Sequence, residues 1–173
     1  MKKGKVIASI DPSGNFDEGK GKSGLAFIHL DNQYQIKDIA LQVVSAKEYA
    51  SKLSYWHKII VELFTVCSKY DVHVVCESYQ LRESKAKSQS WSHLETPQLI
   101  GALMYRCYVS EIPFTLQTPA AAKRVWSDDR LVHEGYLDNI NNRLYYKGLM
   151  TNDHMRDALR HGLLYISKLK KSS

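Results

Sequence analysis

Two short apolar runs, each ending in a carboxylate, constrain this chain most. "KVIASID", Lys5 to Asp11, is bounded by Gly4 and Pro12 and suits a buried strand. "VHVVCES", Val72 to Ser78, is apolar enough for the centre of a sheet and carries Glu77 at its end. If the two strands are parallel neighbours, both carboxylates emerge at one C-terminal edge, where open α/β sheets place ligands. Each also has a plainer reading. Asp11-Pro12-Ser13-Gly14 has the composition of a turn, and Glu77 alone could be a solvated strand end.

The segments around these runs set the fold class. "SGLAFIHL" (Ser23 to Leu30) and "YQIKDIALQVV" (Tyr34 to Val44) read as strands joined by the turn residues Asp31 and Asn32. With the first run they predict an antiparallel meander. The period then changes. Ser45 and Glu48 form a capping-box pattern, and Tyr49, Leu53, Trp56, Ile60, Leu63 and Cys67 mark a helix running to about Tyr70. Tyr79 to Glu95 is polar and reads as a loop. Thr96-Pro97 and Thr118-Pro119 each place an N-cap before proline, predicting helices to about Val109 and about Trp126 with the strand "PFTLQ" between them. Residues 127–150 hold another helix or a long loop. Thr151 caps a last helix whose apolar stripe is Met155, Leu159, Leu163, Ile166 and Leu169. Residues 1–173 thus predict one mixed-sheet α/β domain.

The segment after Asp11 resembles a phosphate cradle but fails as one. Gly14, Gly19 and Lys20 have the spacing of a P-loop, yet Gly21 stands where a magnesium-binding Ser or Thr is needed. A strand, not a helix, follows. A hairpin that presents Asp11 fits better, and no nucleotide cofactor is expected.

The formal charge of +6 favours a polyanionic partner without specifying one. Cys67, Cys76 and Cys107 are odd in number, widely spaced and set among apolar residues, so they read as buried free thiols. No apolar core of signal-peptide length follows "MKKGKV", and no run approaches membrane-spanning length. The expectation is a cytoplasmic protein with no membrane partner.

A third group lies in "TNDHMRDALRHGLLY", Thr151 to Tyr165. His154 and Asp157 are one turn apart on one helical face, Asp153 can reach that face, and His161 extends it by a further turn. Asp153 also has a plain role, since an acid in the first turn suits the helix dipole. Phosphodiester cleavage with two divalent ions needs several carboxylates around ions about 3.5–4 Å apart, which activate water and stabilise the leaving oxygen. Hard oxygen donors suit Mg²⁺ or Mn²⁺, and a histidine among them can bind metal or move a proton. Asp11, Glu77 and Asp157, each on a different element, together with His154 beside Asp157, have that chemistry.

At these motifs the chain resembles the RuvC-like Holliday-junction resolvases of the ribonuclease H fold, especially the bacteriophage versions. The similarity runs from about Lys5 to Tyr165. "SIDPSGN" is similar to the first-strand motif, which implicates Asp11 as catalytic. "VVCES" implicates Glu77 in the same way. "DHMRDALRHGLLY" is similar to a C-terminal helix carrying [DH]-x-x-D-A, which implicates His154 and Asp157, with Asp153 an alternative third-element ligand. "LIGALMYRCYVSEIPFTLQTPAAAKRVW" puts Lys123 in the place of a lysine near the site. The resemblance implies a five-stranded ribonuclease H-like sheet, three strands antiparallel and two parallel, flanked by helices. It implies two Mg²⁺ ions (Mn²⁺ possible), branched DNA as substrate, a homodimer, and host cytoplasm if phage-encoded. The chain departs from the pattern in its longer first hairpin loop, "NFDEGKGKS", and in Gln80, which replaces an aromatic wedge.

Basic and aromatic residues cluster where DNA would pass. Arg82, Lys85, Lys87 and Trp91 follow Glu77, with Tyr79 before them, and Lys20 and Lys22 lie in the opening hairpin. These, with Lys123, are the candidate DNA contacts. The remaining readings are a ribonuclease H-like enzyme acting on RNA and a basic DNA-binding protein without catalysis.

Overall fold

Strand alternation assigns each residue of the central strands to one side of the sheet. The computed structural model describes residues 4–16, 19–79 and 94–172. β1 (Lys5–Asp11) pairs antiparallel with β2 (Lys22–Leu30), and β2 pairs antiparallel with β3 (Ile36–Ser45). On its other side β1 runs parallel to β4 (Asp71–Glu77), which runs parallel to β5 (Phe114–Gln117). The sheet order is β3-β2-β1-β4-β5, the mixed five-stranded arrangement expected. Ile10 is level with Cys76, so Asp11 and Glu77 leave the sheet side by side.

Val6, Ala8 and Ile10 of β1 join Val72, Val74 and Cys76 of β4 in one core. There they meet Tyr55, Ile59 and Leu63 of α1 (Lys52–Cys67) and Leu99 and Leu103 of α2 (Glu95–Val109). Ile7 and Val75 face the other way. They pack with Ala122 of α3 (Pro119–Val125), Leu131 of α4 (Asp128–His133) and Ala158, Leu159 and Leu163 of α5 (Asp153–Ser172). By the same alternation Ser9, Asp11 and Glu77 belong to the α5 side.

Several local expectations are corrected. Ser45 precedes, and Glu48 ends, a single 3-10 turn, Ala46–Glu48, and the capping box that starts α1 is Ser51 with Ser54. Leu53 is exposed, because the buried stripe of α1 is Tyr55, Ile59 and Leu63. Thr96 lies inside α2, which begins at Glu95, and its hydroxyl accepts from the Gly14 N–H at 3.0 Å. Thr151 spends its hydroxyl on the Leu144 carbonyl at 2.9 Å, whereas Asn152 caps α5 by accepting from the Met155 N–H at 2.9 Å. Residues 127–150 hold the short helix α4 and a small antiparallel sheet of β6 (Asp138–Ile140), β7 (Arg143–Tyr146) and β8 (Leu149–Met150).

The loop after β1 is fastened to the protein. Its N–H groups at Ser13, Gly14 and Phe16 donate to Ser23 Oγ, Thr96 Oγ1 and Glu95 Oε2, and its Ser13 and Gly14 carbonyls accept from Tyr55 and Trp56. Amides already committed to protein oxygens cannot cradle a phosphate. Cys76 and Cys107 are buried and Cys67 half-buried, all as free thiols, and burial pushes the Cys107 thiol up to about 12. No helix among the described residues is long and apolar enough to cross a membrane.

Candidate active site

α5 packs against β1, β2 and β4 with its first turn at the strand ends. Gly24 allows this approach. It is level with Asp11 across the β1–β2 register, and a Cβ there would stand 1.9 Å from the His154 carbonyl oxygen. Any larger residue would push the first turn off the sheet. Further along, Ser9 Oγ donates to the Ala158 carbonyl at 2.7 Å, joining the helix to the middle of β1.

Each of three carboxylates then meets a partner. His154 Nδ1 lies 2.7 Å from Asp11 Oδ2. Lys123 Nζ, from α3, lies 3.0 Å from Asp157 Oδ2. His161 Nε2 lies 2.8 Å from Glu77 Oε2. Arg160 donates to the second Asp157 oxygen and to Asp128, and its Nε reaches the Trp126 carbonyl at 2.8 Å. Asp11 and Asp157 are each only 8% exposed. His154 and Lys123 line a cleft of about 510 Å³ together with Glu77, Ser78, Tyr79, Pro119 and other residues. Two of the side chains facing that cleft are therefore the partners of buried aspartates.

The charges are coupled. Burial pushes the Asp11 carboxyl up; the His154 hydrogen bond opposes this, and the Glu77 and Asp157 charges add to it. His154 is raised, chiefly by its hydrogen bond to Asp11. Among the described residues no three His, Cys, Asp or Glu side chains are gathered closely enough to hold an ion as they stand. The donor chemistry nonetheless fits a hard divalent cation. Asp11, Glu77 and Asp157 offer oxygen donors, and the strain on a buried Asp11 facing two like charges is what a cation relieves.

The other candidates are placed as follows. Asp153 has an 84% exposed side chain that pairs with Arg156 and does not line the cleft. Lys20 and Lys22 are exposed, and Lys22 opens β2 two residues before Gly24. Tyr79 lines the cleft and packs against the core on the α1 side. Arg82, Lys85, Lys87 and Trp91 lie outside the described residues. Sequence reasoning missed Arg160 and Gln117 as supports of the site. For Arg160 the signal was present, because it stands three residues after Asp157 on the same helix.

No protein-family model matches the chain, and no curated protein matches it in sequence. Solved structures do. Thermus thermophilus RuvC in complex with a Holliday junction substrate superimposes with a TM-score of 0.62 at 17% identity, over 98% of this chain and 97% of that one. The fowlpox virus Holliday junction resolvase gives 0.54 at 15% identity, over 94% and 99%. The yeast mitochondrial Holliday junction resolvase gives 0.51 at 16%, over 99% and 82%. The fold is RuvC-like. At such identity the likeness is one of architecture. The RuvC-like arrangement seats β1, β4 and α5 together here through this chain's own contacts, among them Gly24 under His154 and Ser9 under Ala158.

Proposed function

We propose that this protein is a metal-dependent, structure-selective endonuclease that resolves four-way or otherwise branched DNA by paired nicks. The observation that carries this reading is the convergence of Asp11, Glu77, Asp157 and His154 at one sheet edge beside an open cleft. The RuvC-like fold supports it. Asp11, Glu77 and Asp157 would hold Mg²⁺ or Mn²⁺, with His154 as a further ligand or a proton carrier. The bound ions supply activation of water and stabilisation of the leaving oxygen.

The chain's own residues do the rest. His154, held by Asp11, carries a proton at the cleft wall and can give it to a leaving oxygen. Lys123 neutralises phosphate charge once it leaves Asp157. Lys20, Lys22 and Tyr79, with Arg82, Lys85, Lys87 and Trp91, guide the DNA. Products with 5′-phosphate and 3′-hydroxyl ends are expected. Paired nicks require two sites, hence a homodimer of this single-domain chain. α2 exposes Met104, Tyr105, Tyr108 and Val109, apolar surface of the kind a second copy covers.

The test uses a labelled four-way junction, a linear duplex and an RNA–DNA hybrid, each with Mg²⁺ or with EDTA. Metal-dependent paired nicks in the junction alone are expected. Cleavage of the hybrid instead would make the substrate RNA, and binding without cleavage of any substrate would remove the enzyme reading.

A further inference from the structure

Glu77 is supported from inside the protein. His161 is fully buried, and its Nε2 stands 2.8 Å from Glu77 Oε2. On the far side of the ring, Nδ1 lies 3.1 Å from the side-chain amide of Gln117, itself 5% exposed and in register with Glu77 at the end of β5. We propose that His161 is a positioning residue that fixes the Glu77 carboxylate for metal binding, with Gln117 fixing the ring. This rests on the metal-nuclease reading above.

The chemistry of the three groups sets their roles. Glu77 is an acceptor, so the ring donates to it through Nε2–H. In the neutral ring Nδ1 then presents a lone pair, and the amide's NH2 end is the group able to donate to it. The two ends of an amide are assigned from the hydrogen-bond network. With its oxygen toward the ring, Gln117 would leave its NH2 without a partner among the described residues. With NH2 toward the ring, the chain Gln117–His161–Glu77 is consistent from end to end. It engages Oε2 and leaves Oε1 for a cation.

Packing alone does not ask for a histidine here. An apolar side chain of the same size would fill the space, and burying a polar ring costs stability unless both nitrogens are satisfied. The helix that carries the ring cannot slide. The neighbouring Gly162 lies so close to the sheet that a Cβ would stand 2.6 Å from Ile28 Cδ1 and 2.8 Å from Ser9 Oγ. His161 is thus held in place relative to β1, and it holds in turn a glutamate with three side-chain torsions of its own. Partners that orient a metal-binding carboxylate in this way typically govern affinity about 10–100-fold.

The test is calorimetric titration of Mn²⁺ into the full chain as wild type, His161→Leu and His161→Gln, with melting temperature and junction cleavage measured on the same samples. His161→Leu should weaken Mn²⁺ binding about 10–100-fold. It should lower kcat with KM for the junction nearly unchanged. His161→Gln, whose amide NH2 stands near the place of Nε2–H, should recover most of the affinity. A folded His161→Leu protein that binds Mn²⁺ as tightly as wild type overturns the proposal, as does a folded His161→Gln protein no better than His161→Leu. If His161→Leu does not fold, Gln117→Leu decides: weaker Mn²⁺ binding supports the role, and unchanged binding overturns it. Wild type that neither binds Mn²⁺ nor cuts would sink the nuclease reading itself, and is recognised before any variant is made.

Discussion

The two faces of the central sheet are built from the same strands and serve different ends. On the α1 and α2 face, Val6, Ala8, Ile10, Val72, Val74 and Cys76 meet Tyr55, Ile59, Leu63, Leu99 and Leu103, an almost wholly apolar layer. On the α5 face, Ile7 and Val75 share the space with buried Ser9, Asp11, Asp157, Arg160 and His161. The first face gains its stability from area removed from water. The second gives up part of that gain to hold carboxylates in a low-dielectric setting, where each needs a partner. Alternation along β1 and β4 enforces this division.

The sharpest way to break that contrast is at its functional end. Asp11→Asn should lower junction cutting by at least about a thousandfold, roughly 4 kcal/mol of transition-state stabilisation, with junction binding retained. Cleavage assays beside gel-shift binding check this. An unfolded variant would instead mark Asp11 as structural.

Matched core substitutions come next. Ile59→Ala on the apolar face should cost about 2–5 kcal/mol of stability, with cutting per folded molecule preserved. Arg160→Leu should cost about 3 kcal/mol by leaving the buried Asp157 without one partner, and should lower cutting as well. Denaturant unfolding with rates normalised to the folded fraction separates the two. If both substitutions depress the normalised rate equally, the faces do not divide their labour as described.

A smaller effect concerns pH. His154 is raised above its usual 6.5 by Asp11, so its pairing contributes stability that is fully present below pH 6.5 and is lost as pH rises through the raised value. Asp11, raised by burial, pushes in the same direction. An NMR titration in EDTA should give a His154 midpoint above 6.5, and Asp11→Asn should bring it down. A midpoint unmoved by that substitution would mean that the pair does not form in solution. The smallest effect on the fold is expected at α2. Tyr105→Glu changes a side chain that is 71% exposed, so its melting temperature should hardly move while sedimentation reports a monomer.

The elements with local signals were legible in the sequence. The four longest strands carry apolar runs or alternation, and Pro119 at the first turn of α3 marks that helix without any tertiary help. Both strand carboxylates and the His154–Asp157 pair were legible for the same reason. The small sheet was not, because strands of three, four and two residues are too short to show a period. Its turns use Asn141-Asn142 and Lys147-Gly148 at positive φ, weaker signals than Asn-Gly. It is anchored to β3 by the Tyr146 hydroxyl on the Ile39 carbonyl and by Lys147 on Asp38. The phase of α1 was misread because Leu53, Trp56 and Ile60 form a second apolar stripe beside the buried one. The partner of His161 lies 84 residues away, a contact that only packing creates.

The central claim is that the polar face of the sheet binds divalent metal at Asp11, Glu77 and Asp157. Crystals soaked in Mn²⁺ and measured at its absorption edge test this most directly. The expected result is anomalous density in contact with Asp11, Glu77 and Asp157, with Lys123 moved off Asp157. Crystals of a cleavage-competent protein that show no density there, or density at another site alone, would contradict it.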